Sequence, residues 1–276
     1  MKHQIRIATA KDTLQVIEQG FYINENNETV NISDVQEYAK QHTALYTPEE
    51  LQLLLSSTKS DLNFETKFEV INQTTIAAIL SLIEQGENNI LCLNFASAKN
   101  PGGGFLRGAE AQEESIARVS GLYPCLLKAN QYYEFHRTHS TFLYSDHMIY
   151  SPLVPVNKED SGKLLSKPVL VSVVTSPAVN KGEIDRNQKH NIEHIVPTMR
   201  LRIEKLLALC KDKNHEVLIL GAWGCGVFQN DPETIAQLFK EALETKFKNQ
   251  FRRIIFAVFT KNQSMIEAFK VRFSTE

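Results

Sequence analysis

Short runs of β-branched and other apolar residues alternate along this chain with segments of helical period, and that alternation constrains its fold more than any other feature. Phe68-Glu69-Val70-Ile71 precedes a helical stripe from about Thr75 to Glu84, and Ile90-Leu91-Cys92-Leu93 precedes a glycine loop and a further helix. Val169-Leu170-Val171-Ser172-Val173-Val174, Val217-Leu218-Ile219-Leu220 and Ile254-Ile255-Phe256-Ala257-Val258-Phe259 complete the set. Runs of this kind fit strands buried on both faces, so the alternation predicts a three-layer α/β domain, a mixed sheet between helices. The clearest helix follows Asp231, a good N-cap, with Pro232 at its first position and Ile235, Leu238, Phe239, Ala242, Leu243 and Phe247 forming one apolar stripe. Asn187 to Cys210 is also periodic, but Pro197 leaves open one kinked helix or two.

Residues 1–62 are polar and helical in pattern, and are expected to form an N-terminal helical extension packed on the α/β domain over residues 63–276. A chain of 276 residues buries enough surface to need no disulfide or metal staple. Cys92, Cys125, Cys210 and Cys225 show no Cys-x-x-Cys pair and are expected to be reduced. The N-terminus runs into polar sequence without a signal-peptide core, and 18 consecutive apolar residues occur nowhere, so a soluble, cytoplasmic protein is expected. Thirty Lys+Arg against 32 Asp+Glu give a net charge of -2. No basic excess is available to hold a long phosphate backbone by counterion release, so a polyanionic ligand has to be held locally by placed amides. His190 and His194 share a helical face, but Glu193 sits at the wrong place for the zinc-protease pattern, and no metal site is expected.

Two glycine loops follow strand candidates. In Asn100-Pro101-Gly102-Gly103-Gly104 the three glycines allow positive φ and bring backbone N–H groups close to a ligand. No Gly-Lys-Ser/Thr follows, and the spaced-glycine dinucleotide pattern is absent. Gly221-Ala222-Trp223-Gly224-Cys225-Gly226-Val227-Phe228 likewise sets flexible amides before the Pro232 helix, whose N-terminus favours a phosphate. Two such loops suggest one diphosphate, with Phe228 either packed on the ligand or in the core. Gln112, Glu113 and Glu114 open the helix after the first loop, which runs through Val119 toward a stop at Gly121. A carboxyl beside a diphosphate and a second carboxylate feels like charge, which favours its protonated form and suits it to donate a proton.

Three glycines, a short spacer and Gln-Glu-Glu resemble the mark of the bacterial-type poly(ADP-ribose) glycohydrolase family. The likeness extends to Leu93–Pro101, Leu122-Tyr123-Pro124, Tyr150-Ser151-Pro152, Gly221–Asp231 and Thr9–Tyr22, and is weakest between His139 and Tyr150 and from Lys158 to Lys167. The resemblance implies a macrodomain with an ADP-ribose cleft at the C-terminal ends of the central strands. It implies that Glu114 is the acid/base and that Glu113 and Gln112 order the ribose and the loop. It further implies that Gly102, Gly103, Gly104 and Asn100 surround the distal ribose, and that Gly224, Cys225, Gly226, Val227 and Phe228 bind the diphosphate. Thr74, in the turn Asn72-Gln73-Thr74-Thr75, is carried as a candidate for the adenine end. The implied reaction cleaves ribosyl–ribose O-glycosidic bonds without metal or other cofactor. Its partners would be poly(ADP-ribose) or ADP-ribosylated protein, with ADP-ribose as product and no membrane or sequence-specific nucleic-acid binding. Two alternatives stand beside it: removal of single ADP-ribose units from protein or nucleic acid, and a macrodomain that binds ADP-ribose without cleaving it.

Overall fold

The computed structural model describes residues 1–58 and 63–274, so the boundary expected at residue 62 lies outside the described residues. The chain opens with α1 (His3–Gln19), the hairpin β1 (Phe21–Ile23) and β2 (Thr29–Asn31), α2 (Ser33–Gln41), β3 (Ala44–Tyr46) and α3 (Pro48–Ser57). Next come β4 (Lys67–Ile71), α4 (Thr75–Glu84), β5 (Ile90–Phe95), α5 (Gln112–Val119), α6 (Leu122–Lys128) and α7 (Asn130–Thr138). They are followed by β6 (Met148–Lys158), β7 (Leu164–Ser176), α8 (Lys181–Asn187), α9 (Ile195–Asp212), β8 (Val217–Leu220), α10 (Pro232–Glu244), β9 (Arg253–Ala257) and α11 (Gln263–Phe273).

Seven strands make one sheet in the order β3-β6-β7-β5-β8-β9-β4. From β7 to β4 neighbours are parallel, while β6 runs antiparallel to β3 and β7, so the sheet is mixed as the alternation predicts. Successive side chains of a strand point to opposite faces, and both faces are covered. In β5, Leu91 and Leu93 join the apolar layer of α3, α9, α10 and α11, while Ile90 and Cys92 join that of α4, α5, α6 and α7. Leu218 and Leu220 part from Val217 and Ile219 in β8 in the same way, and Ile254 and Phe256 from Ile255 and Ala257 in β9. Fully burying a leucine, isoleucine, valine or phenylalanine among these is worth roughly 1.5–3 kcal/mol, which is why these runs carry no polar alternation.

Within the first 58 residues the helices are joined by strands that the polar pattern does not reveal. β3 adds to the edge of the main sheet beside β6, and Leu51 and Leu55 of α3 enter the core against α9. α1 lays Ala10 against Phe105 and Ala117, and its buried Thr13 hydroxyl donates to Arg118 O at 2.6 Å. β6 also escapes the strand pattern, because it carries Pro152 and Pro155 and slips register between Ser151 and Val154, where Leu153 takes φ 49°. β3 covers only Met148–Tyr150, so Pro155 falls on an outer margin, where strand prolines are tolerated. Pro197 sits in the first turn of a single helix, α9, where its missing N–H has no intrahelical partner to lose. α5 ends before Gly121 because Ser120 turns extended and bridges to Val156.

Candidate active site

Because β7, β5, β8, β9 and β4 are parallel, their outgoing loops meet along one edge and enclose a cleft of about 910 Å³. Along that edge lie the glycine loop after β5, the 221–231 loop after β8, Val258–Thr260 after β9 and the Gln73–Thr75 turn after β4.

Gln112 seats the helix that carries the carboxylates. The β5–β8 ladder stops at Cys92 and Ile219. Beyond it the Gln112 side chain takes the place of a neighbouring strand, accepting from Phe95 N–H at 2.8 Å and donating to Leu93 O at 2.7 Å and Thr75 Oγ1 at 3.0 Å. Its amide is thus engaged in fixing the start of α5 on the end of β5.

Glu113 is 3% exposed. Ser97 N–H donates to its Oε2 at 2.6 Å and Asn94 Nδ2 to its Oε1 at 3.4 Å. Burial pushes its carboxyl up to about 8; the Ser97 N–H pulls the other way, and the charge of Glu114 adds to the rise. Glu114 is half-buried and lines the cleft. Gly104 N–H donates to its Oε1 at 2.9 Å, while its Oε2 has no hydrogen-bond partner among the described residues. Gly103, at φ 60°, passes so close that a Cβ there would lie 2.2 Å from Glu114 Oε1 and 3.2 Å from Glu113 Oε2. Only glycine fits against this carboxylate pair.

Gly102 lies behind the loop, against the buried Phe105 ring, and contributes shape to the site without lining the cleft. The far end of the loop is held by α1: Arg6 Nε donates to Gly108 O at 2.7 Å, Arg6 pairs with Glu110 at 2.5 Å, and His3 Nε2 meets Arg107 O at 3.0 Å. Asn100 lines the cleft, and its carbonyl accepts from Gly103 N–H at 3.0 Å.

On the opposite wall, the N–H groups of Gly224, Gly226, Val227 and Phe228 make no hydrogen bond within the described residues. They precede α10, where Asp231 accepts from Thr234 N–H at 2.8 Å, and all four residues with free donors line the cleft. Cys225 differs from its neighbours. Its N–H is bonded to Ala222 O at 3.1 Å and its thiol is buried in the core, which pushes its titration well above the ordinary thiol range. The half-buried Phe228 lines the cleft with its ring centroid 5.9 Å from that of Tyr144. Thr74 caps α4 by accepting from Ala77 N–H at 3.0 Å, and its hydroxyl donates to the Asp160 carboxylate.

Three lining or supporting residues escape the sequence reading. Asn94 is a fully buried polar residue in an otherwise apolar strand, a detectable signal. Tyr144, at φ 54°, is held by Arg202, whose NH2 donates to Leu143 O at 3.0 Å and Tyr144 O at 3.2 Å. Asp160 comes from the β6–β7 turn. Tyr144 and Asp160 fall in the two stretches where the family likeness is weakest.

The raised Glu113 carboxyl has a consequence for stability. Its titration in the folded protein lies above that of the unfolded chain, so the unfolded state binds fewer protons between about 4.5 and about 8. Its contribution is fully present below about 4.5 and is lost as pH rises through about 8. Glu113→Gln removes this loss. The melting temperature of the variant minus that of the wild type is expected to grow from pH 5 to pH 8 in calorimetric scans, whereas a gap that stays flat would contradict a buried, proton-retaining carboxyl.

The family described as microbial-type PARG, catalytic domain, matches residues 10–159. A comparison with curated protein sequences found no match. Among solved structures, the chain is similar to the poly(ADP-ribose) glycohydrolase from Thermomonospora curvata, with 41% identity, coverage of 98% of this chain and 100% of that one, and a TM-score of 0.93. The same enzyme bound to the inhibitor ADP-HPD matches at 42% identity, 98% and 100% coverage and a TM-score of 0.91. The poly(ADP-ribose) glycohydrolase from Deinococcus radiodurans in complex with ADP-ribose matches at 40% identity, covering 87% of this chain and 97% of that one, with a TM-score of 0.83. With a family match over more than half of its length and these relatives over nearly all of it, the chain belongs to the microbial-type PARG catalytic-domain family.

Proposed function

We infer that this chain is a poly(ADP-ribose) glycohydrolase, and that it releases ADP-ribose by proton transfer through Glu114. One arrangement carries the reading: two adjacent carboxyls under a glycine loop, facing four free amides across a single cleft. The distal ribose lies over the end of β5 between Gly103, Gly104, Asn100 and the carboxyls. The diphosphate meets the amides of Gly224, Gly226, Val227 and Phe228, and the nucleoside reaches toward the β9 and β4 loops, where Thr74 stands.

Glu113, held by Ser97 and Asn94, positions the ribose. Glu114 keeps one oxygen on Gly104 N–H, which leaves the other free to move a proton. Cleavage passes through an oxocarbenium-like state. Protonated Glu114 gives its proton to the departing ribose 2′-oxygen as the glycosidic C–O bond breaks. The resulting carboxylate takes a proton from water as that water bonds to the ribosyl carbon, and the carboxyl is regenerated. These steps route nothing through a metal or cofactor.

No helix among the described residues is long and apolar enough to cross a membrane. Action in the cytoplasm belongs to this reading, and four unpaired, buried cysteines suit a reducing compartment. Incubation with labelled poly(ADP-ribose) is expected to release free ADP-ribose over time. Release from mono-ADP-ribosylated protein alone would favour the single-unit hydrolase, and tight ADP-ribose binding without turnover on either substrate would favour a non-catalytic reader.

A further inference from the structure

We propose that Lys99 and Arg137 form an anion subsite for the diphosphate of the ADP-ribose unit on the leaving side of the scissile bond. The inference rests on the glycohydrolase reading above and names a part of the substrate beyond the ADP-ribose unit held in the cleft.

Positive charge is distributed unevenly around this site. The lining contributed by the β8, β9 and β4 loops contains no lysine or arginine, so the diphosphate of the bound unit is met there by neutral amides. The lysine and arginine side chains of the lining all come from the glycine-loop side: Lys99, Arg107 and Arg118. Arg118 is 4% exposed and engaged with Ala109 O at 3.1 Å and Ser115 Oγ at 3.4 Å. Arg107 lies at the far flank of the loop, beside the brace from α1.

Lys99 immediately precedes Asn100, two residues from the Ser97 N–H that anchors Glu113. Arg137 of α7 donates from Nε to Lys99 O at 2.9 Å, which sets a second cation on the same peptide. Among the described residues neither the Lys99 ammonium nor the terminal guanidinium nitrogens of Arg137 have an ion-pair or hydrogen-bond partner, whereas Arg6, Lys158, Arg202 and Lys205 are each paired with a carboxylate.

Their position follows the direction of the polymer. The bound unit extends from β5 toward β8 and β9, so the bond to be cut faces the other way, toward β7 and β6. α7 lies on that side: Phe135 packs on His147, and His136 meets Ser145 at 2.8 Å, just before β6 begins. The leaving 2′-oxygen belongs to the adenosine ribose of the next unit, and that unit's diphosphate is attached to the same ribose. An ammonium on the cleft lining and a forked guanidinium bonded to the same peptide suit a diphosphate one ribose away.

The experiment compares wild type, Lys99→Gln, Arg137→Gln and the double variant on long poly(ADP-ribose), together with calorimetric binding of ADP-ribose itself. The double variant is expected to lose about tenfold in kcat/KM on the polymer, mainly through KM, the scale of one or two charge-assisted hydrogen bonds. The dependence of log kcat/KM on log salt should become shallower by roughly 0.7 for each phosphate that is no longer neutralised, as for a single-stranded polyanion. ADP-ribose affinity should stay at the wild-type value. Lys99→Arg should restore polymer turnover, and Lys261→Gln, which removes a cation beyond the opposite rim, should change nothing. A parallel fall in ADP-ribose affinity would overturn the proposal, because the cations would then serve the unit in the cleft. Unchanged kcat/KM and salt slope would overturn it as well. A wild type that fails to cleave the polymer would instead count against the glycohydrolase reading, and anisotropy of labelled polymer binding would still separate the double variant from the wild type if the subsite exists.

Discussion

Gly103→Ala is expected to give a folded protein whose release of ADP-ribose is slower by at least ~10², because one methyl group evicts the proton carrier. The new Cβ would stand 2.2 Å from Glu114 Oε1, far inside van der Waals contact, and also near Glu113 Oε2 at 3.2 Å. The Glu114 carboxyl, already bonded to Gly104 N–H, would have to leave that bond or push the loop away from α5. The backbone adds a smaller penalty, since φ 60° costs an L-residue about 1–2 kcal/mol. Melting should therefore fall by only a few degrees while turnover collapses. The pair of readings is single-turnover release and a calorimetric scan. Wild-type turnover in Gly103→Ala would mean that the working carboxyl is not the one beneath this glycine.

The layers of the fold are legible because burial on both faces leaves a continuous apolar run, as in Val217–Leu220 and Ile254–Ala257, whose residues divide between the two cores. The helix after Asp231 is legible because its cap, its first-turn proline and its stripe are all local. β3 and β6 are not. Three residues carry too short a period, and β6 is stabilised at Pro152 and Pro155 by a bulge and by its marginal position, which depend on partners far along the chain.

The same division holds at the site. Glu113, Glu114 and the glycines stand in one contiguous segment, so their chemistry is visible in the sequence. Which side chain turns inward at Cys225, and how Tyr144 and Asp160 reach the cleft, depend on contacts with Trp223, Arg202 and Thr74 that no local pattern encodes. Gln112 shows the limit from another direction. Its place in the motif implies that it orders the ribose and the loop, and its amide is engaged with the end of β5 and Thr75.

Glu114→Gln is expected to lower the chemical step by the ~10²–10⁴ typical of lost general acid–base catalysis. The amide keeps the size of the side chain and can still accept from Gly104 N–H through its oxygen, so the loop has no reason to move. What disappears is the titrating group at the free oxygen, which first gives a proton to the departing ribose oxygen and then takes one from the attacking water. ADP-ribose binding should survive, and removing a carboxylate near a diphosphate is expected to tighten it if it changes at all. Glu113→Gln is expected to differ. Its carboxyl anchors Ser97 N–H at the end of β5, so on the proposed reading its loss should misplace the substrate and appear in affinity as well as in rate.

Single-turnover release of ADP-ribose from poly(ADP-ribose), measured beside calorimetric ADP-ribose binding for wild type, Glu113→Gln and Glu114→Gln, bears on all of this at once. Rapid release by the wild type is expected, with a rate lower by at least ~10² in Glu114→Gln at undiminished affinity and a mixed loss of rate and affinity in Glu113→Gln. Release by Glu114→Gln at the wild-type rate would contradict the assignment of the proton to Glu114.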